Sequence, residues 1–370
     1  MQERYHRQLI LKGFGTEAQQ RLRDARVLVI GAGGLGCPIM QYLVAAGVGH
    51  IGIADHDRVS LSNLHRQVLF GDDDIGQLKV DVIREKMKDL NPEININIWP
   101  VSWTQSHCLD HIPTYDVVVD ATDNFATRYL INDACVLLKK PLVFGAVSQY
   151  EGQVAVFNHL RSDGSRSVNY RDLFPVPPQT GEVLNCAEGG VLGVLPGIIG
   201  SMQAMEVIKL ITGIGEPLAD RLLTYDALSQ RFLDFTLSPH PDSAAMTPSI
   251  PKEYLDLDYV RACSMDITEQ KETDPGDWRQ NHLANPLVDI RESHEQPRLA
   301  ELCASLGVTL VEIPISGLHE HAGEFSGKSV TIICQSGKRS LAAIRILEQM
   351  DETIMARSLK GGVNALFTFK

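Results

Sequence analysis

The sequence has no uncharged apolar run approaching the roughly 18 residues that a membrane span needs, so no membrane association is expected. Its first residues, Met1-Gln-Glu-Arg-Tyr-His-Arg7, are polar and lack the apolar core of a signal peptide. Cysteine is sparse: seven in 370 residues, with no dense spacing that would make a disulfide scaffold. Free thiols and a cytoplasmic location are the expectation. Positive charge is in deficit, with 34 basic against 46 acidic side chains and a formal charge of −12. Such a surface repels a phosphate backbone on average, so nucleic-acid binding is not expected. Internal repeats and low-complexity tracts are absent.

What is present is ordinary globular composition, 44% hydrophobic and 22% charged, at a length that suits about two domains. Short apolar runs at Arg26–Ile30, His50–Ala54, Ile94–Trp99, Asp116–Asp120 and Pro141–Phe144 read as buried parallel strands. Helical patterns at Cys37–Ala46 and Lys79–Leu90 alternate with them. The pattern predicts an α/β fold, a Rossmann-like doubly wound and mostly parallel sheet. Gln153–Phe157 and a hairpin over Leu222–Ala227 and Arg231–Leu237 suggest an antiparallel addition. An apolar helix is expected from Gly193 to Ile211, after a polar, proline-rich loop over Arg161–Leu184. From Ser238 to Ala284, prolines and polar residues break the pattern and read as a linker, with a short helix near Leu255–Ala262. The expected organisation is a nucleotide-binding domain over 1–237, a linker over 238–284 and a small α/β domain over 285–370.

Gly31-Ala-Gly33-Gly34-Leu-Gly36 follows the first strand and opens a helix, the context in which G-x-G-x-x-G predicts phosphate binding at a helix N-terminus. Asp55 ends the second strand 19 residues past Gly36, where a carboxylate commonly holds ribose hydroxyls. These features alone would suit NAD or FAD and an oxidoreductase. Beyond the second strand, however, Asn63, Arg66, Gln67 and Lys79 put two cations and two amides where a triphosphate fits better than a nicotinamide. Asp120-Ala-Thr-Asp123-Asn124 follows another strand end. Asp123 there could hold Mg²⁺ against the phosphates, while Asp120 could be structural.

In order along the chain, Arg4-Tyr-His-Arg7-Gln, the glycine loop, Asp55-His-Asp57, Ser62-Asn63-Leu-His-Arg66-Gln67, Gly76-Gln-Leu-Lys79 and Ala121-Thr-Asp123-Asn124 resemble the sulfur-carrier-protein adenylyltransferases. These are the molybdopterin-synthase and thiamine-pathway activating enzymes (MoeB/ThiF), related to the ubiquitin-activating enzymes. The resemblance covers about residues 1–237. It implies ATP as substrate, ribose on Asp55, phosphates on Arg66 and Lys79, and Mg²⁺ placed by Asp123. It further implies that Arg7 enters the site of a partner protomer, hence a homodimer. The substrate implied is the C-terminal Gly-Gly carboxylate of a small ubiquitin-fold sulfur carrier. The family often carries zinc on two C-x-x-C pairs. Here the loop in question reads Val168-Asn169-Tyr-Arg-Asp172, and no cysteine lies between Cys186 and Cys263. No zinc is therefore expected. Cys186, ahead of the apolar helix, resembles the family's loop cysteine, which in some members bonds to the carrier.

Val330–Ile333, Cys334-Gln-Ser-Gly-Lys-Arg-Ser340 and Leu341–Met350 read as strand, loop and helix. Backbone N–H groups, the helix dipole, Lys338 and Arg339 would stabilise a thiolate or persulfide on Cys334. A cysteine phosphatase needs arginine six residues after the cysteine, and that position is Ser340. The loop instead resembles the rhodanese sulfurtransferases, as do Leu287-Val-Asp-Ile-Arg291-Glu292, Ile313-Pro-Ile-Ser and Leu359-Lys-Gly-Gly362. Taken together, the resemblances imply ATP-dependent adenylation of the carrier followed by sulfur transfer from Cys334, fed by a cysteine desulfurase or thiosulfate. A non-catalytic nucleotide-binding scaffold is the alternative.

Overall fold

Valine- and isoleucine-rich runs form strands buried on both faces, which is why they are continuous rather than alternating. In the computed structural model, residues 2–177, 190–260, 271–351 and 353–367 are described. They divide into two compact units, one up to residue 260 and one from 271. The first unit opens with α1 (Gln2–Leu9) and α2 (Gly15–Asp24), then β1 (Arg26–Ile30), α3 (Gly36–Ala46) and β2 (His50–Ala54). It continues through α4 (Lys79–Leu90), β3 (Asn95–Trp99), α5 (Gln105–His111), β4 (Val117–Asp120) and α6 (Phe125–Leu137). Next come β5 (Leu142–Ser148), β6 (Glu151–Phe157), α7 (Tyr170–Leu173), α8 (Val194–Thr212), β7 (Arg221–Asp226) and β8 (Arg231–Thr236), then α9 (Ser243–Met246) and α10 (Pro251–Asp256).

The strands lie in the order β3-β2-β1-β4-β5-β6-β7-β8. β3 through β5 run parallel, and β6 to β8 extend the sheet antiparallel. The chain winds from β1 outward through β2 and β3, then returns to β4 on β1's other side. The β1–β4 boundary is thus the switch point, outside which ligands of such sheets bind.

α8 is long and apolar enough to cross a membrane by length and composition, with a mean hydropathy of 1.4. It is nevertheless a core helix. Leu195, Ile199, Ala204 and Val207 are buried in the first unit's core, and its Glu206 and Lys209 pair with each other.

Two expectations need correction. Among its described residues, the segment read as a linker over 238–284 is largely folded. Tyr254 is fully buried, and its hydroxyl donates to Leu130 O at 3.1 Å. Tyr259 donates to Asp133 Oδ2 at 2.8 Å. At the other end of the supposed linker, residues 272–281 belong to the second unit. Its polar composition hides a few widely spaced aromatic anchors, which no periodicity reveals. Near the short helix expected over Leu255–Ala262, residues 251–256 are helical and so are 259–260, while 261 and 262 lie outside the described residues. Likewise, the loop expected over 161–184 contains α7, whose Tyr170 packs against Tyr129, Phe144 and Phe157.

The second unit comprises β9 (Glu272–Thr273), α11 (Pro275–Asn281), β10 (Leu287–Asp289), α12 (Ala300–Leu306) and β11 (Leu310–Glu312). It ends with α13 (Leu318–His321), β12 (Ser329–Ile333), α14 (Lys338–Met350), β13 (Met355–Leu359) and α15 (Gly362–Leu366). Its parallel sheet runs β11-β10-β12-β13-β9. One apolar cluster holds Val288, Ile332 and Ile344, and a second holds Leu287, Ile333 and Trp278.

Candidate active site

The glycine loop joins β1 to α3 at the switch point, and its glycines do different work. Gly31 has φ +107°, and a Cβ there would lie 2.4 Å from Ala121 O. A Cβ on Gly36 would lie 2.2 Å from Gly31 O. Both are required by the backbone's own packing. Gly34 faces Pro196 of α8, 2.9 Å from a Cβ it does not have. Gly33 is the open one: its nearest neighbour would be Gln67 Nε2 at 3.7 Å. The open position is where a phosphate can approach the loop's N–H groups.

Asp55, at the end of β2, braces this loop. Its Oδ2 accepts from Ala32 N–H at 2.7 Å and its Oδ1 from Asp57 N–H at 2.7 Å. Lys79 begins α4 and is 4% exposed. Its Nζ donates to Asp57 Oδ2 at 2.8 Å. Partial burial alone would raise the Asp57 pKa, but the hydrogen bond and charge of Lys79 outweigh it and hold the carboxyl below its usual range. Asp55, His56 and Asp57 offer ligand atoms within 4.8 Å of one another. Each Asp55 oxygen and Asp57 Oδ2 accepts one of these bonds, and the lone pairs that remain on Asp55 can still accept from a ribose hydroxyl.

Asn63 organises the segment between β2 and α4. Its carbonyl accepts the N–H groups of Arg66 and Gln67 at 3.0 and 2.9 Å. Arg66 is half-buried and donates to Ser62 O at 3.0 Å. The Gln67 side chain is 3% exposed, and its Oε1 has no hydrogen-bond partner. A buried acceptor left open beside the glycine loop suits a ligand hydroxyl or amine.

The two aspartates after β4 separate cleanly. Asp120 is fully buried and accepts from Arg128 Nε at 3.1 Å and from Thr122 N and Oγ1 at 2.9 and 2.6 Å. It is structural. Asp123, three residues on, is exposed and is the freer carboxylate for a divalent cation. Asn124 caps α6, its Oδ1 accepting from Thr127 N–H at 2.9 Å, so local structure already accounts for it. Sequence reasoning passed over Gln203, the buried amide of α8 that donates to Asp120 O at 2.7 Å. A lone amide inside an apolar helix was its signal.

Arg7 is not brought to this site. It lies exposed on α1, whose Tyr5 hydroxyl accepts from Asn91 just past the C-terminal end of α4. Lys79 is at the other end of α4, roughly 18 Å away along a 12-residue helix. Cys186 and Cys263 lie outside the described residues.

In the second unit, the loop between β12 and α14 encloses Cys334, which is fully buried. Its Sγ accepts from Gly337 N–H at 3.2 Å and Ser340 N–H at 3.4 Å, with Ser340 Oγ at 3.6 Å. Behind Ser340 stands Ser358, its Oγ at 2.7 Å. A Cβ on Gly362 would lie 2.2 Å from Cys334 O, so the Gly361–Gly362 turn presses directly on the loop. Val363 N–H donates to Cys334 O at 2.9 Å and locks the contact. The remaining described cysteines differ. Burial pushes Cys37 and Cys108 up to about 12 and raises Cys135 and Cys303 as well, as expected of packing thiols. One expectation changes: Arg339 does not point its charge freely at the sulfur but forms a two-pronged ion pair with Glu295. Of the Lys338 side chain nothing is described.

The ThiF family model matches residues 5–245. Over 239 residues the chain is 53% identical to a sulfur carrier protein adenylyltransferase of Thermus thermophilus, covering 65% of this chain and 88% of that one. It is 39% identical to the adenylyltransferase and sulfurtransferase MOCS3 of Aedes aegypti, over 98% of this chain and 86% of that one. The probable adenylyltransferase/sulfurtransferase MoeZ of Mycobacterium tuberculosis is 38% identical over 98% and 92%. Among solved structures, E. coli MccB with ATP shares the fold at 21% identity and a TM-score of 0.52, covering 61% of this chain and 67% of that one.

The glycines provide a test that separates folding from ligand binding. Gly31→Ala is expected to lower the melting temperature by several degrees or abolish folding. Gly33→Ala is expected to melt within a degree or two of the parent while weakening ATP binding at least tenfold, measured by calorimetry. Equal ATP affinity in folded Gly33→Ala would move the phosphates elsewhere.

Proposed function

The chain belongs to the ThiF family, and on that premise we propose that it adenylates the C-terminal Gly-Gly carboxylate of a small ubiquitin-fold sulfur carrier with ATP, then transfers sulfur to it from a persulfide on Cys334. The observation that carries this reading is the pairing, on one chain, of an open glycine loop with a buried cysteine whose sulfur accepts backbone N–H bonds. The first suits a nucleotide, the second a sulfur anion.

A carboxylate is a poor electrophile because its charge repels nucleophiles. Attack by its oxygen on the α-phosphate of ATP breaks the bond to pyrophosphate and leaves an acyl adenylate, in which AMP is a good leaving group. The carboxylate is already ionised at pH 7, so no general base is needed. Catalysis is then a matter of placement and charge neutralisation. Gly33 admits the phosphates, Arg66 and Lys79 meet their charge, and Asp55 and Gln67 serve the nucleoside. Asp123 would hold Mg²⁺, which supplies further neutralisation of the phosphates when bound. The Cys334 persulfide next attacks the acyl carbon and expels AMP. Attack of a second thiolate, Cys186, on the Cys334 sulfur would release the carrier thiocarboxylate and leave a disulfide for an external thiol to reduce. A persulfide supplied by a cysteine desulfurase, or thiosulfate, reloads Cys334.

Exchange of labelled pyrophosphate into ATP, dependent on a Gly-Gly-ended carrier, tests the first step. Cys334→Ser should keep this exchange near the parent rate and lose the oxygen-to-sulfur replacement seen by mass spectrometry. Thiocarboxylate formation at the parent rate in Cys334→Ser would refute the second step.

The proposal includes a second copy of the chain. Arg7 lies at the far end of α4 from Lys79, which supports its delivery to a partner protomer. Mixing inactive Arg7→Ala with inactive Lys79→Ala chains should restore exchange, because one hybrid site is whole. No recovery after verified subunit mixing would argue against a shared site.

The reading includes no structural zinc. Asn169 and Asp172 have the spacing of a ligand pair but are not thiolates. Asn169 Nδ2 donates to Ser243 Oγ at 3.2 Å, and Asp172 accepts from His240 N–H at 2.9 Å. Hydrogen bonds thus join the two segments directly. Elemental analysis of the purified chain should find zinc well below one per chain, and a stoichiometric amount would overturn the assignment.

A further inference from the structure

We propose that Glu295 sets the class of sulfur donor at Cys334: by occupying Arg339 it disfavours dianionic oxyanion donors such as thiosulfate and favours organic persulfides, whose transferable group carries at most one charge. The proposal rests on the sulfurtransferase reading of this site and specifies its substrate.

The loop that wraps Cys334 has the backbone of an anion receptor, yet its guanidinium groups are already engaged. Arg339, in the first turn of α14, donates Nη1 to Glu295 Oε2 at 2.8 Å and Nη2 to Glu295 Oε1 at 2.5 Å. This fork-on-fork geometry is the strongest arrangement for the pair. Glu295 is held for the role. Its Oε2 also accepts Glu292 N–H at 2.9 Å, and its own N–H donates to Glu292 O at 3.0 Å. The hydrogen bonds from Arg339 hold its carboxyl down to about 2, so it stays ionised wherever the protein works.

Arg291, the other guanidinium facing the loop, is 2% exposed. It is spent on Asp289 through Nε at 2.9 Å and Nη2 at 2.8 Å, on Pro297 O at 2.9 Å, and on Gln335 Oε1 at 3.2 Å.

The two donor classes face this arrangement differently. With thiosulfate, the Cys334 thiolate attacks the outer sulfur, the S–S bond of the donor breaks, and its electron pair leaves with sulfite. A dianion arrives and a dianion departs, so both need a free cation, and Glu295 competes for Arg339 at each stage. With an organic persulfide, Cys334 takes the terminal sulfur and the donor's own thiolate leaves. The donor reacts as R–S–SH, its proton staying on the transferred sulfur; even its ionised form carries one charge where thiosulfate carries two, and one charge departs with the thiolate.

The full-length protein tests this with thiosulfate and with N-acetylcysteamine persulfide as donors. Thiosulfate turnover is read as thiocyanate formed from cyanide, and persulfide loading as the gain of one sulfur on Cys334 by mass. Glu295→Gln should raise kcat/KM for thiosulfate about fivefold to tenfold, mostly through KM, as expected for one released charge-assisted contact. Loading from N-acetylcysteamine persulfide should change by less than about twofold, and the thiosulfate gain should vanish in Glu295→Gln/Arg339→Gln. If the parent loads from the persulfide and Glu295→Gln gains nothing with thiosulfate, or gains equally with both donors, the proposal is overturned while the sulfurtransferase reading stands. If the parent loads from neither donor, that reading fails and takes the proposal with it.

Discussion

The approach of Gly31 to the backbone of Ala121 is the contact on which the nucleotide end of the first unit depends. β1 and β4 are neighbours in the sheet but distant in sequence, and the chain must leave β1 through a left-handed residue that grazes the end of β4. Any side chain at residue 31 would wedge these strand ends apart. Because the contact is so close, α3 starts directly over the switch point, with its N-terminal N–H groups facing the crevice. The same constraint puts Asp120 under the loop, where it is sealed by Arg128 and Thr122, and pushes Asp123 out to solvent. Which of the two aspartates can meet a cation is therefore decided by backbone packing.

Both units solve a related problem by similar means. Each ends a parallel strand in a tight glycine-containing loop and opens a helix from it, so that backbone N–H groups converge on one point. Each also keeps a nearby cation in a carboxylate's grip: Lys79 with Asp57, Arg339 with Glu295. A buried lysine needs such a partner to remain charged. The more exposed arginine does not, and its pairing changes what the loop can attract rather than whether it folds. Similar loop geometry thus occurs in both units, with the difference lying in what may approach.

Much of this was legible in the sequence where local chemistry and local structure coincide. The Val-rich strand, the glycine loop and α3 form one continuous stretch, and so do β12, the Cys334 loop and α14. What stayed hidden depends on residues far apart in the chain. α1 and α2 are polar helices whose burial is limited to a few side chains such as Tyr5 and Leu22, so periodicity barely marks them. Tyr254 and Tyr259 anchor a stretch that composition alone describes as a linker. Asp120 and Asp123 are indistinguishable until the depth of β4 is known. Glu295 lies 44 residues before Arg339, and no short motif expresses a pair of that separation.

The corner where Asn169 and Asp172 meet residues 240–243 shows why the misread linker must be docked. A neutral hydrogen bond contributes about 1 kcal/mol net. The two hydrogen bonds at this corner are therefore a small part of what docks the segment. Apolar burial is larger: an aromatic side chain fully withdrawn from water contributes about 2–3 kcal/mol. Tyr170 lies within a turn of Asn169 and is 1% exposed, while Tyr254 and Tyr259, 0% and 5% exposed, follow Ser243. Tyr259 also shares Asp133 with Arg171, so the aromatic anchors and the polar contacts interlock. The segment after β8 is held mainly by its tyrosines, and the hydrogen bonds next to α7 add to them.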